Sequence, residues 1–199
     1  RTDWQAEIFR DLTARVPTGD PSGVGAAAAV VEPGTGKLLA MVQTSQFDWT
    51  AKESSVASTS QSWVVPQKYK GTLGFPIGST AKMFTIVTAL EHGWPVNGSV
   101  PAPAAGPNAN QAHIFEPNVY HDACSSPDPW PVRNDETTAG PSMAFRDATA
   151  HSVNTAFAAS MIALGGCEVQ KTMTKMGLLD GAGDPTQPAP SSLVLGSGS

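Results

Sequence analysis

Apolar residues in the first part of the chain predict one helix followed by a β-hairpin. We expect Asp3 to cap the helix and Pro17 to end it. Two nearly continuous apolar runs, residues 24–31 and 38–42, flank the Gly-rich segment 32–37 and predict the two strands of a hairpin. Because neither run alternates with polar residues, we expect both faces of this sheet to be covered. The apolar positions at helical spacing are Trp4, Ile8, Phe9, Leu12 and Val16.

One apolar helix separates two long polar stretches in the middle of the chain. Residues 43–73 are rich in Ser, Thr, Gln and Lys without a clear period, which predicts loop with short helical turns. Residues 95–141 are dense in Pro, Gly and Asn and predict loop with short edge strands. The apolar run 79–90 lies between glycines 78 and 93, and it is apolar on nearly all sides, so we expect a helix in the interior.

The C-terminal third predicts further helices. One is expected at 143–150, a second at 155–164 and a short third at 168–176, and the first two are separated by His151-Ser152-Val153-Asn154. Residues 181–190 predict loop, and the apolar run 193–195 is typical of the beginning of another element. We therefore expect the domain to continue beyond this chain.

Composition excludes several classes of function. Lys and Arg total only 12 of 199 residues and do not cluster, so no nucleic-acid partner is expected. No apolar run approaches the roughly 18–20 residues that span a bilayer, and residue 1 does not open a signal peptide. Cys124 and Cys167 form no C-x-x-C motif, which leaves a zinc or redox site without support. They are either two buried thiols or, in an extracytoplasmic protein, a disulfide worth roughly 2–4 kcal/mol.

The first chemical candidate is Ser79 with Lys82 at the start of the apolar helix. The i,i+3 spacing puts hydroxyl and amine on one face, close enough to share a hydrogen bond. A serine hydroxyl needs an adjacent base, and a lysine becomes one when burial lowers its pKa. The backbone N–H of Ser79 can also donate to a developing oxyanion. The competing interpretation is a helix N-cap with a lysine that reaches solvent. We expect four neighbours to exclude water: Ile77, Met83, Phe84 and Ile86.

The second candidate is Ser152-Val153-Asn154, at the break between two predicted helices. Two residues apart on such a turn, a serine and an asparagine supply a proton-shuttling hydroxyl and an amide that binds a substrate carbonyl. Simple helix capping is the competing interpretation, because both residue types favour helix starts.

Together, in this order, the two motifs resemble those of the penicillin-recognising serine enzymes, whose signature is S-x-x-K, S-D-N and K-T-G. Three segments, residues 78–85, 150–156 and 29–42, are similar in sequence to the transpeptidase domain of penicillin-binding proteins. The similarity is to the class A, bifunctional members of high molecular mass. The resemblance runs from about residue 3 to residue 199, and it is weakest over 43–74 and 95–141.

This resemblance implies a fold, a partial domain and a set of roles. The fold is α+β, an antiparallel sheet covered by helices, and residues 1–199 are the first half of one transpeptidase domain. Ser79 is the acylated nucleophile, Lys82 the general base, Ser152 assists proton transfer, and Asn154 contacts the donor peptide. No cofactor and no metal is implied. His113, Glu116, His121 and Asp122 share one loop, for which a solvated surface is the favoured interpretation.

The third motif, Lys-Thr/Ser-Gly on a strand, does not occur in this sequence. Lys171-Thr172-Met173 lacks the glycine, lies in a predicted helix and follows the second motif too closely. We expect the missing motif on a C-terminal half of the same domain, as a second chain, although the sequence also fits a fragment. The other implied partners are peptidoglycan stem peptides and β-lactams. The implied location is the extracytoplasmic face of the bacterial membrane, with the anchor before Arg1 and this segment itself soluble.

Three classes of function fit the resemblance. The first is a peptidoglycan D,D-transpeptidase that β-lactams acylate. The second is a D,D-carboxypeptidase or a β-lactamase on the same scaffold, although no deacylating acid for a β-lactamase can be placed. The third is a non-catalytic β-lactam or peptidoglycan sensor.

Overall fold

The computed structural model describes residues 1–120, 122–124, 128–138, 140–184 and 190–196, without the side chains of 190–192. It mixes helices with short two-stranded sheets, as the α+β prediction requires. Two compact units are present. The first comprises Arg1–Gly74 with Asp180–Asp184, and the second comprises Phe75–Leu179 with the described residues from 190 onward. No helix in the described part of the chain has the length and apolarity needed to cross a bilayer.

The first unit begins with helix α1, Thr2–Arg15. Asp3 lies inside its first turn and accepts a hydrogen bond from the Arg1 guanidinium at 2.7 Å, so the prediction that Asp3 caps the helix is wrong. The helix ends where Val16 becomes extended, which is the conformation that a following proline favours.

A β-hairpin follows, formed by β1 (Ala27–Val31) and β2 (Leu38–Gln43). The strands pair antiparallel with a bulge at Val31. Helix α1 contacts the outer edge of β2, where the Gln5 amide donates to the Met41 carbonyl and accepts from the Met41 N–H at 2.9 Å. Val31 and Leu38 are each more than half exposed, so the prediction of a sheet covered on both faces is wrong for the described residues. The hairpin buries mainly Ala40 and Val42.

The stretch after the hairpin contains four short strands in two parallel pairs, where loop was predicted. Three of these four strands have only two residues and give no sequence period, which explains why those three were missed. A 3₁₀ turn at Gln67–Tyr69 agrees with the predicted short helical turns. The strands are β3 (Gln46–Phe47), β4 (Ser58–Thr59), β5 (Ser62–Pro66) and β6 (Gly71–Thr72).

The second unit contains five of the six α-helices in the described residues. Its strands pair antiparallel, β7 with β10 and β8 with β9, and 3₁₀ turns lie at Ala109–Gln111 and Pro117–Val119. The strands are β7 (Ser99–Pro101), β8 (His113–Phe115), β9 (Trp130–Val132) and β10 (Ser142–Ala144). The helices are α2 (Lys82–Glu91), α3 (Phe145–Ala150), α4 (Asn154–Leu164), α5 (Gly166–Lys175) and α6 (Pro190–Leu195). Of the predicted loop 181–190, residues 181–184 form turns and bends as expected, residues 185–189 lie outside the described residues, and Pro190 already begins α6.

Helix α4 lies at the centre of this unit and is buried on nearly all sides. Helix α2 packs against it with Phe84 inside, while Met83 and Leu90 are nearly half exposed, so the predicted interior position holds for only one face of α2. Burial of apolar surface on this scale is the main stabilising contribution to the unit. The large side chains of this core are Phe84, Phe115, Trp130, Phe145, Phe157, Met161, Met173 and Leu193.

The two cysteines are joined as a disulfide, with their Cα atoms 5.1 Å apart. The carboxylate of Asp122 accepts hydrogen bonds from the N–H of Cys124 at 2.9 Å and of Cys167 at 3.1 Å. The bond therefore ties the segment before β9 to the start of α5. These three residues also form a cluster of metal-ligand type, but both sulfurs are bonded to each other and offer no thiolate.

Candidate active site

Lys82 is the first residue of α2, and its side chain is buried, with 4% exposed. Its ammonium donates to the Ser152 carbonyl at 2.6 Å, to Ser152 Oγ at 2.9 Å and to Asn154 Oδ1 at 2.5 Å. An ammonium has three N–H donors, so all of them are used. The fold thus brings together the lysine of the first motif and both polar residues of the second.

Burial lowers the pKa of Lys82 from 10.5 to about 8, against the raising effect of the negative charge on Asp135. The amine lies 5.4 Å from the centre of the Phe157 ring, which forms an apolar wall of its site. With a pKa of about 8, roughly one Lys82 in ten is neutral at pH 7. A buried, partly neutral amine is the chemical form that a general base requires.

Ser152 occupies the turn between α3 and α4 and adopts a left-handed backbone with φ of 51°. The Ser152 N–H donates to the Thr149 carbonyl, and the Val153 N–H donates to the Ala148 carbonyl. A left-handed residue with this pattern closes the last turn of a helix, a place that glycine usually takes. The turn ends α3 and brings the Ser152 hydroxyl to Lys82.

Asn154 is the first residue of α4, one residue earlier than predicted. Its Nδ2 donates to the Arg133 carbonyl at 2.7 Å, and its Oδ1 accepts from Lys82. The side-chain amide is held at both ends. A cleft of about 480 Å³ opens beside it, and the residues that line this cleft are Pro107, Trp130–Asp135, Asn154 and Leu195.

Ser79 lies in the 3₁₀ turn Gly78–Ala81 that leads into α2, and its side chain is exposed. In the described part of the chain its hydroxyl makes no hydrogen bond, so the predicted bond between Ser79 and Lys82 is not formed. The amine instead points to the second motif, whose three acceptors use all its donors. The structure therefore places an accessible hydroxyl three residues from a buried amine.

The predicted apolar screen around this pair is only partly present. Phe84 is buried, and Ile86 is partly buried against the core. Ile77 and Met83 are 39% and 43% exposed, so the prediction that these two exclude water is wrong for the described residues.

Sequence reasoning missed a buried amide next to the site. Asn134 is 4% exposed, and its Oδ1 accepts the N–H of Thr155, the second residue of α4. Asn134 stands in a long stretch dense in Pro, Gly and Asn, where one more asparagine carries no signal of its own. Asp135, whose charge raises the pKa of Lys82, was also missed, because one acidic residue in a long polar stretch carries no signal.

The other described sequence candidates belong to other elements. Lys171 and Thr172 are inside α5, where Lys171 pairs with Glu168, so they are not a strand motif. His113 is in β8, and its ring contacts Phe115. His121 lies outside the described residues.

Comparison with known proteins gives one family and a set of similar structures. Residues 26–188 match the family described as the penicillin binding protein transpeptidase domain. No curated protein sequence matches the chain. Penicillin-binding protein A from M. tuberculosis, solved as an imipenem acyl-enzyme complex, aligns with a TM-score of 0.53 at 21% identity, over 78% of this chain and 34% of that one.

A second similar structure is the penicillin-binding protein PonA1 from Mycobacterium tuberculosis. It aligns with a TM-score of 0.56 at 19% identity, over 94% of this chain and 42% of that one. At these identities the likeness concerns the fold. The chain spans between a third and a half of the length of each of these two proteins.

Proposed function

Because this chain belongs to the penicillin-binding protein transpeptidase domain family, we propose that it is the first half of a serine D,D-transpeptidase domain. That enzyme cross-links peptidoglycan stem peptides and is acylated by β-lactams at Ser79. The observation that carries the proposal is the buried Lys82 amine, held by Ser152 and Asn154 three residues after an exposed Ser79. The imipenem acyl-enzyme of the M. tuberculosis relative supports β-lactams as ligands.

Acylation begins with Lys82 in its neutral form. The Ser79 oxygen attacks the carbonyl carbon of the donor peptide bond, and its proton passes to Lys82 Nζ. The tetrahedral intermediate collapses when the C–N bond breaks, and the leaving amine takes a proton from Lys82 through the Ser152 hydroxyl. An acceptor amine then attacks the Ser79 ester, gives its proton to the same pair, and restores the serine.

The hydrogen bonds of Lys82 must rearrange for this step. A neutral amine has two N–H donors and one lone pair, so one of the three bonds to the second motif has to be released. If the bond to Asn154 is released, its Oδ1 becomes free to accept from the donor peptide while the lone pair turns to Ser79. Substrate binding at Asn154 would thereby free the base that activates the nucleophile.

The oxyanion needs donors that this chain supplies only in part. The N–H of Ser79 lies at the start of its turn, lacks a helical acceptor and can bind a developing negative charge, whereas the Gly78 N–H already donates to the Gly196 carbonyl. We expect the second donor on the strand with Lys-Thr/Ser-Gly, in the C-terminal half of the domain.

The amino-acid sequence of residues 150–156 favours a class A protein. An extracytoplasmic location is compatible with the disulfide between Cys124 and Cys167.

A β-lactam sensor is the second candidate, because it needs the same acylation of Ser79. A sensor becomes acylated but does not transfer the acyl group to an amine. Turnover of a thioester donor in the presence of an amine acceptor separates a sensor from a transpeptidase. A D,D-carboxypeptidase would instead give the hydrolysed product.

The first prediction concerns acylation of the protein that contains both halves of the domain. A fluorescent penicillin should label it covalently, and Ser79→Ala should abolish the label because no other residue supplies the nucleophile. Thr80→Ala is the matched control, since it removes the next exposed hydroxyl of the same turn and should leave labelling intact. Gel fluorescence measures both. An unlabelled wild type, or a label that survives Ser79→Ala, contradicts the proposal.

A further inference from the structure

The buried amide of Asn134 caps α4 from outside the helix. Its Oδ1 accepts the Thr155 N–H at 3.0 Å, and its Nδ2 donates to Thr138 Oγ1 at 2.8 Å and to Thr155 Oγ1 at 3.2 Å. Val153, which precedes α4, makes no capping bond with its side chain. The first N–H groups of a helix have no acceptor within it, so Asn134 provides one that the local sequence lacks.

The adjacent peptide group of the same segment holds the residue before Thr155. The Arg133 carbonyl accepts the Nδ2 of Asn154 at 2.7 Å. An amide whose nitrogen is fixed in this way presents its oxygen on the opposite side, and that oxygen is the one that accepts from Lys82. Two successive residues, Arg133 and Asn134, thus hold the two successive residues that begin α4.

We propose that Asn134 is a positioning residue for Lys82. In the protein without substrate, it acts through Thr155 and through the Arg133 carbonyl, which together keep Asn154 Oδ1 at the lysine amine, and it touches neither the amine nor the nucleophile. The catalytic meaning of this role rests on the proposed function, because Lys82 has to be the base. The positioning itself concerns only the place of the amine, which is measurable without activity.

The same segment also carries the charge that acts on Lys82. Asp135 follows Asn134, and its negative charge raises the pKa of the amine against the lowering effect of burial. Without the Asn134 amide, the start of α4 loosens and the amine gains water. Because burial is the larger of the two effects, we expect the pKa of Lys82 to move up towards 10.5, which reduces the neutral fraction at pH 7.

The second prediction compares Asn134→Ala with wild type in the full-length protein. Competitive acetylation of amines over about pH 6 to 11, read by mass spectrometry of the peptide containing Lys82, gives the pKa of that amine. We expect a midpoint near 8 in wild type and a higher midpoint in Asn134→Ala. The rate constant of acylation by penicillin at saturation should fall at least roughly tenfold, with little change in the penicillin concentration that half-saturates it.

Two further variants separate positioning from stability. Thr138→Val removes one acceptor of Asn134 and should shift the Lys82 midpoint in the same direction by less, which keeps the test open if Asn134→Ala does not fold. Thr172→Val is the matched control, because it removes a buried hydrogen bond between α2 and α5 that does not reach Asn154. It should lower thermal stability and leave the midpoint unchanged.

The outcomes are distinct. If Asn134→Ala and Thr138→Val lower stability as Thr172→Val does and leave the Lys82 midpoint where it is, Asn134 is only a helix cap and the inference is overturned. If the wild type is never acylated while the midpoint still shifts, the positioning holds and the proposed transpeptidase function is what fails.

Discussion

At the scale of the residue, burial of the Lys82 ammonium lowers the free energy of unfolding, although the proposed site needs this amine. Its ammonium is buried and has three acceptors, yet burial still lowers its pKa to about 8. A group whose pKa falls on folding binds protons more weakly in the folded protein than in the unfolded chain. Between pH 8 and 10.5 the unfolded chain therefore holds more protons, and stability rises with pH through that window.

The third prediction follows from this rise in stability with pH. The free energy of unfolding of wild type, minus that of Lys82→Met, should increase from pH 8 to pH 10.5 by at most about 3 kcal/mol, because the variant has no amine to titrate. Urea unfolding at several pH values measures the difference. Lys52→Met, at an exposed lysine, provides the correction for deleting a lysine elsewhere. If the difference stays constant or decreases with pH, folding does not lower the pKa of Lys82.

At the scale of the element, the end of α6 packs against the turn that carries Ser79. The Gly78 N–H donates to the Gly196 carbonyl at 3.1 Å. Gly196 has a left-handed backbone with φ of 63°, and a Cβ placed there would lie 2.2 Å from the Gly78 oxygen. Both the conformation and the close approach require glycine at this position. The nucleophile turn is thus supported by a segment more than a hundred residues later in the chain.

The fourth prediction compares two glycines in the second unit. Gly93→Ala should lower the free energy of unfolding by about 1 kcal/mol, since Gly93 has a positive φ of 76° but nothing within 4 Å of a Cβ. Gly196→Ala should cost about 3 kcal/mol or more, because backbone has to move as well. It should also slow acylation of Ser79, whereas Gly93→Ala should not. Chemical denaturation and penicillin labelling measure the two effects, and equal costs would contradict the packing of α6 on the turn.

At the scale of the whole molecule, the proposed function makes this chain the carrier of part of a site. Lys82, Ser152 and Asn154 meet in the second unit, and Ser79 precedes them at the surface. The chain covers 34% and 42% of the two solved structures it resembles. The proposed C-terminal half would supply the strand with the third motif and the second oxyanion donor.

The fifth prediction tests this division. The chain by itself should react with fluorescent penicillin far more slowly than it does after addition of a C-terminal segment of the same protein that carries Lys-Thr/Ser-Gly. Each missing oxyanion donor costs roughly a hundredfold or more in rate. The same segment with the motif lysine changed to alanine is the control. Full labelling of the chain without any added segment would show that the site needs no second half.

The helices and their motifs could be predicted because they carry local signals. Glycines frame α2, its apolar run is continuous, and the break at Ser152 is rich in cap-forming residues. The hairpin was found from its apolar runs, whereas its exposed face was not, because that face depends on what packs against it. The role of Asn134 could not be predicted either, because its hydrogen bonds to Thr155 join residues 21 positions apart.

Two requirements compete at Ser152, one from its left-handed backbone and one from its hydroxyl. Folding favours glycine there, since a side chain with φ of 51° is strained, whereas the proposed chemistry needs the hydroxyl that Lys82 holds at 2.9 Å. Glycine would relieve the strain but would leave one donor of the buried ammonium without its acceptor. Selection for thermal resistance would therefore act on this position in both directions. Selection for the proposed acyl transfer would act in one direction and keep serine.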